Sequence, residues 1–462
     1  MASHVTPGRR QTPTYRPVPL PRTWSIAAID VIAVLLANGA IILAMWVRHD
    51  GLDQLSTFGG QLTAIGQLTG LYAAYLALIQ LVLMSRSPWL DQIFGMDGLT
   101  AAHRWLGFAT VWLLLAHGVF IVTGYSLGDG SNVVSEAITL VTTYPYVLMA
   151  VVSGALFGLV AITSVRAARR RLSYETWYGL HLYAYLAIAL GFLHQVFVGA
   201  DFIHDPIAVG YWVALYVIAA AFILVFRIGQ PVWMSTRHRL RVSNVVEEGP
   251  GVFSIYVTGR DLDQLAVRSG QYFMWRFLTF DGWWRAHPFS ISSAPNGAWL
   301  RITIKELGDW SSALKGVSIG TRVFVEGPYG VLTGARRTRP KVLLIAGGIG
   351  ITPLRALLEA LPARPGDLTL VYRVRSAPEI IFRTELDALA QRRGARVHYL
   401  IGPRGAGVGD PLDPSSLARL VPDIADRDVF LCGPVSMMQR VEGALRHLGL
   451  RKDQIHAERF AY

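Results

Sequence analysis

Four histidines set in long apolar runs are the residues of this 462-residue chain whose type and spacing point most directly to chemistry. His103 and His117 bracket the stretch HRWLGFATVWLLLAH, and His181 and His194 bracket HLYAYLAIALGFLH. An imidazole in hydrocarbon is costly unless something binds it, and its ring nitrogens are metal ligands. The 14-residue separation of the first pair corresponds to roughly 21 Å of helix, and the 13-residue separation of the second to roughly 20 Å. If both stretches cross a bilayer in the same direction, His103 lies level with His181, and His117 with His194. Each level then offers two imidazoles, suited to one planar metal macrocycle held through two axial nitrogens. A lone intramembrane histidine bonded to a neighbouring helix is the plainer alternative, and the matching of four in depth and direction argues against it. Zinc takes three or four protein ligands and is poorly served by two per level.

The elements that must position these histidines are apolar spans. Hydrophobic residues make up 52% of the chain, and mean hydropathy is +0.38, high for a soluble protein. Six runs long enough to cross ~30 Å of hydrocarbon are predicted at Trp24–Val47, Leu62–Met84, Thr100–Tyr125, Thr143–Val165, Thr176–Val198 and Ile207–Ile228. They define a transmembrane domain over residues 23–230, preceded by a flexible basic tail over 1–22. Basic residues lie in that tail (Arg9, Arg10, Arg16, Arg22), after span four (Arg166, Arg169, Arg170, Arg171) and after span six (Arg227, Arg237, Arg239, Arg241). The loops near 127–142 and 199–206 carry no Lys or Arg, so the positive-inside rule puts both termini in the cytoplasm. The net charge of +12 therefore reads as topology and lipid contact, not nucleic-acid binding. Spans three and five both run from inside to outside, as the matched depths require. One difficulty attaches to span five. At ~100° per residue a 13-residue step ends about 140° off its starting face. The span must be kinked, locally tightened, or present its ligands from different sides, and Gly191 between them permits a distortion.

After about Thr236 the apolar period changes to two in RLRVSNVVEE, GVFSIYVTG, QYFMWRF, WLRITIKEL and TRVFVEGPYG. Short strands with Gly/Pro turns predict an antiparallel β-barrel over 236–336. At KVLLIAGGIGITPLRALLEAL an apolar strand meets a Gly-rich turn and then a helix, which opens an α/β dinucleotide-binding domain over 340–462. Gly347, Gly348 and Gly350 let the backbone approach a pyrophosphate, and the helix N-terminus favours its charge. FLCGP at Phe430–Pro434 closes a second such strand. The single cysteine, Cys432, excludes an internal disulfide and an iron–sulfur cluster ligated by four cysteines.

Six spans with H-x13-H on the third and H-x12-H on the fifth resemble the NADPH oxidase and ferric reductase transmembrane family. The soluble half resembles the ferredoxin–NADP reductase superfamily in the order and wording of its motifs. The resemblance implies a multi-domain fold: a six-helix transmembrane bundle, an antiparallel β-barrel FAD domain and a Rossmann-like NAD(P) domain. It implies two b-type haems, the inner held by His103 and His181 and the outer by His117 and His194. In HPFSISSAP, spanning His287–Pro295, it implies that Phe289 packs against the isoalloxazine and that Ser290 hydrogen-bonds near its N5. His287, followed by Pro288, stands where many relatives carry an arginine. KELGDWSS implies a flavin-pyrophosphate segment with Lys305, Gly308, Ser311 and Ser312. Thr352 and Pro353 match the family's Gly-rich turn, and Cys432, Gly433 and Pro434 its nicotinamide-bordering element, although Cys432 also reads as a small buried strand residue. Arg375 and Ser376 fall where NADPH-specific relatives bind the 2′-phosphate, which favours NADPH, with NADH the alternative. The aromatic covering the flavin is implied at Phe460, with Tyr462 the alternative. Ser290, Cys432 and Phe460 are the residues placed closest to hydride transfer. The implied activity is electron transfer from cytoplasmic NAD(P)H, through FAD and the haems, to an external small-molecule acceptor, dioxygen or ferric iron, at the cell membrane. A relay to a partner protein or quinone is the alternative, and the identity of any such partner is open.

Overall fold

The computed structural model describes residues 28–49, 51–199, 202, 205–280, 282–402 and 410–458. These fall into two compact units, Trp24–Ile228 and Gly229–Tyr462.

The first unit is helical. Its helices are α1 (Ala28–Arg48), α2 (Phe58–Leu83), α3 (Pro88–Asp129), α4 (Val133–Thr143), α5 (Val147–Ser164), α6 (Arg166–Arg169), α7 (Tyr174–His181), α8 (Tyr183–Val198) and α9 (Pro206–Phe222). Six helical stretches among the described residues are long and apolar enough to cross a membrane, with α7–α8 forming one and α9 the start of another. Local chemistry sets their ends. Thr57 caps α2 by accepting from Gly60 N, and Asp205 caps α9 by accepting from Ile207 N at 2.7 Å and Ala208 N at 3.2 Å. Pro88 opens α3 and the left-handed Gly130 closes it. That helix begins well before the predicted Thr100, and Gly95 (φ 70°, ψ 150°) breaks it ahead of the span proper. The predicted loop near 127–142 contains α4, an apolar helix of 11 residues, too short for a span, capped by Asn132.

Lipid supplies no hydrophobic drive between helices, so close backbone approach and hydrogen bonds must hold them. Tyr72 and Tyr75 donate to the Gly39 and Leu35 carbonyls, both at 2.9 Å, and Trp46 Nε1 donates to Gln67 Oε1 at 2.8 Å, tying α1 to α2. Gln80 reaches Thr110 at 2.8 Å from α2 to α3, and Ser153 donates to the Ala187 carbonyl at 2.7 Å from α5 to α8.

The second unit opens with α10 (Gln230–His238) and continues as a barrel of two antiparallel sheets. One has the order β1 (Arg241–Gly249), β2 (Val252–Thr258), β5 (Leu300–Lys305), and the other β4 (His287–Ser290), β3 (Tyr272–Phe277), β6 (Val323–Tyr329). Isolated bridges Arg241–Arg322 and Ile291–Ile302 link segments of the two sheets. Alternation directs Phe253, Phe273, Trp275, Ile302 and Val325 into a core where each is 0% exposed. The short α11 (Asp309–Ala313) follows β5.

The nucleotide lobe is a five-stranded parallel sheet of order β11 (Ile455–Glu458), β10 (Arg427–Cys432), β7 (Lys341–Gly347), β8 (Leu368–Val374), β9 (Arg396–Ile401). Helices α12 (Ile351–Ala360), α13 (Arg383–Arg393), α14 (Pro414–Leu420) and α15 (Val435–His447) supply the crossovers. The strand order reverses between β7 and β10, and in open α/β sheets ligands bind at the carboxyl ends of the strands flanking that reversal.

Candidate functional site

The structure brings the four histidines together in two pairs. The rings of His103 and His181 have centroids 5.9 Å apart with planes at 65°, and those of His117 and His194 are 6.4 Å apart at 66°. Two imidazoles on opposite sides of one metal, each nitrogen ~2 Å from it, place their ring centres roughly 6 Å apart. Among the described residues no three His, Cys, Asp or Glu side chains gather as a bare-ion site. The buried Nδ1 of His103 has no hydrogen-bond partner among the described residues. The Nδ1 of His181 lies 3.5 Å from Ser164 Oγ, and its ring stacks on Trp177. The donor set and spacing fit a macrocyclic metal at both levels.

Span five is distorted beside its first histidine. The helix breaks at Leu182, directly after His181, where Tyr185 N–H reaches the Leu182 carbonyl at 3.0 Å in a 3₁₀-type bond. A 3₁₀ turn rotates more per residue than an α turn. The distortion is therefore not at Gly191, whose absent Cβ would meet Ser153 Oγ at 3.4 Å across the α5–α8 contact.

In the barrel, β4 presents His287, Pro288, Phe289 and Ser290 along its pairing with β3. Trp275 Nε1 donates to the Phe289 carbonyl at 2.9 Å. The His287 ring stacks on Trp310 at 3.7 Å, and the Phe289 ring lies 6.2 Å from Trp310 and nearly parallel to it. Tertiary structure thus joins the HPFS and KELGDWSS segments through Trp310, an aromatic that sequence reasoning quoted but did not single out. The Ser290 hydroxyl is buried with no hydrogen-bond partner among the described residues, a group that fits a polar ligand atom such as one on a flavin. Lys305 and Gly308 are exposed at the end of β5 and beyond it. Ser311 Oγ is committed locally, accepting from Leu307 N at 2.9 Å and Gly308 N at 3.1 Å and donating to the Gly308 carbonyl. Ser312 is exposed.

At the sheet reversal the Gly-rich turn and the CGP element meet. A Cβ on Gly350 would fall 2.3 Å from the Cys432 carbonyl oxygen, and one on Gly433 3.0 Å from Gly347 Cα. Gly348 has φ +53°, a left-handed conformation that glycine adopts without strain. Thr352 donates to the Ile349 carbonyl at 3.0 Å, Pro353 is buried in the first turn of α12, and Pro434 leads into α15. Arg375 and Ser376 are exposed just beyond the end of β8. Phe460 and Tyr462 lie outside the described residues.

Cys432 pairs with Glu458 across the β10–β11 ladder. It is fully buried, and burial, followed by the Glu458 charge, pushes its thiol well above the ordinary value. Glu458 was not anticipated from sequence. Its carboxylate occupies the space beside Gly330, where a Cβ would fall 2.5 Å from Glu458 Oε1. The available signal was an acidic residue closing the last strand, in HAERFAY.

Comparison with known proteins follows the same division. The family "Ferric reductase like transmembrane component" matches residues 69–192, which include His103, His117 and His181 and end two residues before His194. An FAD-binding domain family matches residues 241–333, and the oxidoreductase NAD-binding domain family residues 344–443. The chain is 28% identical over 243 residues to the glycine betaine monooxygenase reductase subunit of Chromohalobacter salexigens, covering 49% of this chain and 65% of that protein. It is 34% identical over 184 residues to a flavohemoprotein of Vibrio cholerae, covering 37% and 45% respectively. It therefore spans less than two thirds of the length of these curated relatives. The crystal structure of the flavohem-like FAD/NAD binding domain of nitric oxide dioxygenase from Vibrio cholerae aligns with 26% identity and a TM-score of 0.39, over 48% of this chain and 98% of that one. In this chain a region matching the ferric reductase-like transmembrane component, with six helical stretches among the described residues long and apolar enough to cross a membrane, is joined to FAD-binding and NAD-binding domains, the architecture of ferric reductases and NADPH oxidases.

Proposed function

We propose that the protein moves electrons from cytoplasmic NAD(P)H, across the cell membrane, to dioxygen or ferric iron outside. The observation that carries this reading is the pair of imidazole contacts at two depths of the same helices, with ring centroids 5.9 and 6.4 Å apart. In it, His103 and His181 hold an inner haem, and His117 and His194 an outer one. FAD, when bound, takes hydride and releases single electrons, the only form in which haem accepts them. Phe289 and Trp310 offer aromatic surface to the flavin, and Ser290 holds a hydroxyl toward its reacting edge. Gly347, Gly348, Gly350, Gly433 and Pro434 receive the dinucleotide at the sheet reversal. Arg375 and Ser376 select the 2′-phosphate, and Phe460 covers the flavin until nicotinamide enters. With the inside negative, outward electron movement is downhill by about 2.3 kcal/mol per 100 mV. The domain limits 1–22, 23–230, 236–336 and 340–462 belong to the same reading.

The test is NAD(P)H oxidation by the purified full-length protein, with and without superoxide dismutase and a ferric chelate, beside its reduced-minus-oxidised spectrum. Two low-spin bis-imidazole haems and turnover with either acceptor support the reading. Absence of haem sinks it, and haem with no turnover on either acceptor points to a relay toward a protein or quinone.

A further inference from the structure

We propose that Gly70 and the Gly66 carbonyl form a seat on α2 that fixes the rotamer and tautomer of His117, making Gly70 a positioning residue for the outer metal site. This rests on the reading of His117 and His194 as haem ligands. Gly59, Thr63, Gly66 and Gly70 recur at steps of four, three and four residues, which places them on one face of α2. That face meets α3 at very short range. A Cβ on Gly59 would fall 3.0 Å from the Gly124 carbonyl oxygen, and one on Gly66 2.8 Å from Ile121 Cγ1. At Gly70 the occupant changes character: the missing Cβ is replaced by the His117 ring, with Nδ1 at 2.6 Å and Cε1 at 2.9 Å from the Cβ position. One turn away, His117 Nδ1 lies 2.8 Å from the Gly66 carbonyl oxygen.

A carbonyl only accepts, so the Nδ1 must carry the proton and Nε2 is left with its lone pair for a metal. The ring is held from two sides, by the bond at Gly66 and by contact at Gly70. The inner pair lacks this arrangement: the Nδ1 of His103 has no hydrogen-bond partner among the described residues, and that of His181 has a hydroxyl at 3.5 Å. A methyl group at position 70 cannot coexist with the ring as placed, so the imidazole must turn. Turning it strains or breaks the bond to Gly66, weakens electron donation by the ligand and removes the ferric-state stabilisation that donation supplies.

The experiment is a redox titration of haem in the full-length Gly70→Ala protein, followed optically and by low-temperature EPR. The outer component is assigned as the one lost in His194→Ala. We expect that component to shift to higher potential with altered g-values, or to be lost, while the inner component keeps its wild-type potential. Gly210→Ala, a helix glycine on α9 with nothing within 4 Å of its Cβ position, is expected to match wild type. Gly70→Ala with both components and both EPR signals unchanged overturns the proposal. Should Gly70→Ala not accumulate, pulsed EPR of wild-type protein carrying ¹⁵N-histidine decides: a strongly hydrogen-bonded Nδ1–H on one outer-haem ligand supports the seat, and its absence overturns it. Wild-type protein with no bis-imidazole haem would instead overturn the underlying reading.

Discussion

Arg301 Nη1 lies 3.1 Å from Glu385 Oε2, joining the β-barrel to the nucleotide lobe. Arg301 leaves the barrel from β5 and Glu385 comes from α13. The contact belongs to a network: Glu385 also pairs with Arg355, Arg355 pairs with Glu359, and Glu359 accepts from Ala294 N at 2.8 Å. The Arg301 guanidinium also lies over the Phe382 ring at 4.6 Å. Burial alone would lower the Arg301 pKa, and Glu385 and Tyr256 together outweigh it and raise it. The lobes that must bring nicotinamide to flavin are thus joined by charges, one of which, Arg301, is only 4% exposed.

Glu385→Gln removes the carboxylate from a buried guanidinium. Breaking a fully buried pair costs roughly 3–5 kcal/mol and a surface pair ~0–1 kcal/mol. Glu385 is 32% exposed, so a loss on the order of 2 kcal/mol is expected. Urea unfolding followed by flavin fluorescence measures it. A change of only a few tenths would show that the network does not hold the lobes.

The pairing of histidines by depth predicts equivalent phenotypes. His103→Ala and His181→Ala should each remove the same haem component and leave the other, while His117→Ala and His194→Ala remove its counterpart. The His103→Ala/His181→Ala double variant should lose no more haem than either single variant, because both ligands serve one group. Pyridine haemochrome content and redox titration are the measurements, and four unrelated spectra would refute the pairing.

Cys432 should behave as a neutral, inaccessible thiol. It is 0% exposed, and burial followed by Glu458 raises its pKa. A raised thiol pKa favours the folded state fully below the ordinary value of about 8.5 and loses that contribution as pH rises past it. Iodoacetamide at pH 8 is expected to leave Cys432 unmodified in the native protein and to label it completely after denaturation, read by mass spectrometry. Rapid native labelling would contradict the burial.

Arg375 is exposed just beyond the carboxyl end of β8. If it binds the 2′-phosphate, Arg375→Ala should raise KM for NADPH roughly tenfold, the scale of one charge-assisted hydrogen bond. KM for NADH should stay nearly constant. Equal effects on both cofactors would remove the residue from that role.

The order of modules was legible in the chain itself. Hydropathy and arginine placement marked six spans, the change of period at about Thr236 marked the barrel, and GGIG after KVLLIA marked the nucleotide lobe, because each signal is local and repeats over many residues. The depths of His103, His117, His181 and His194 followed from counting residues along helices. Rotation about the helix axis did not, because a local break such as the one at Leu182, with its 3₁₀-type bond, leaves no mark in the apolar pattern. Contacts between segments distant in sequence were equally beyond reach. Trp310 meets His287, Glu458 comes to lie beside Gly330 and opposite Cys432, and His117 settles against Gly66 and Gly70; in the last two a glycine's missing Cβ leaves the room. Composition can show that a glycine is present, but only the packed neighbour shows what fills its place.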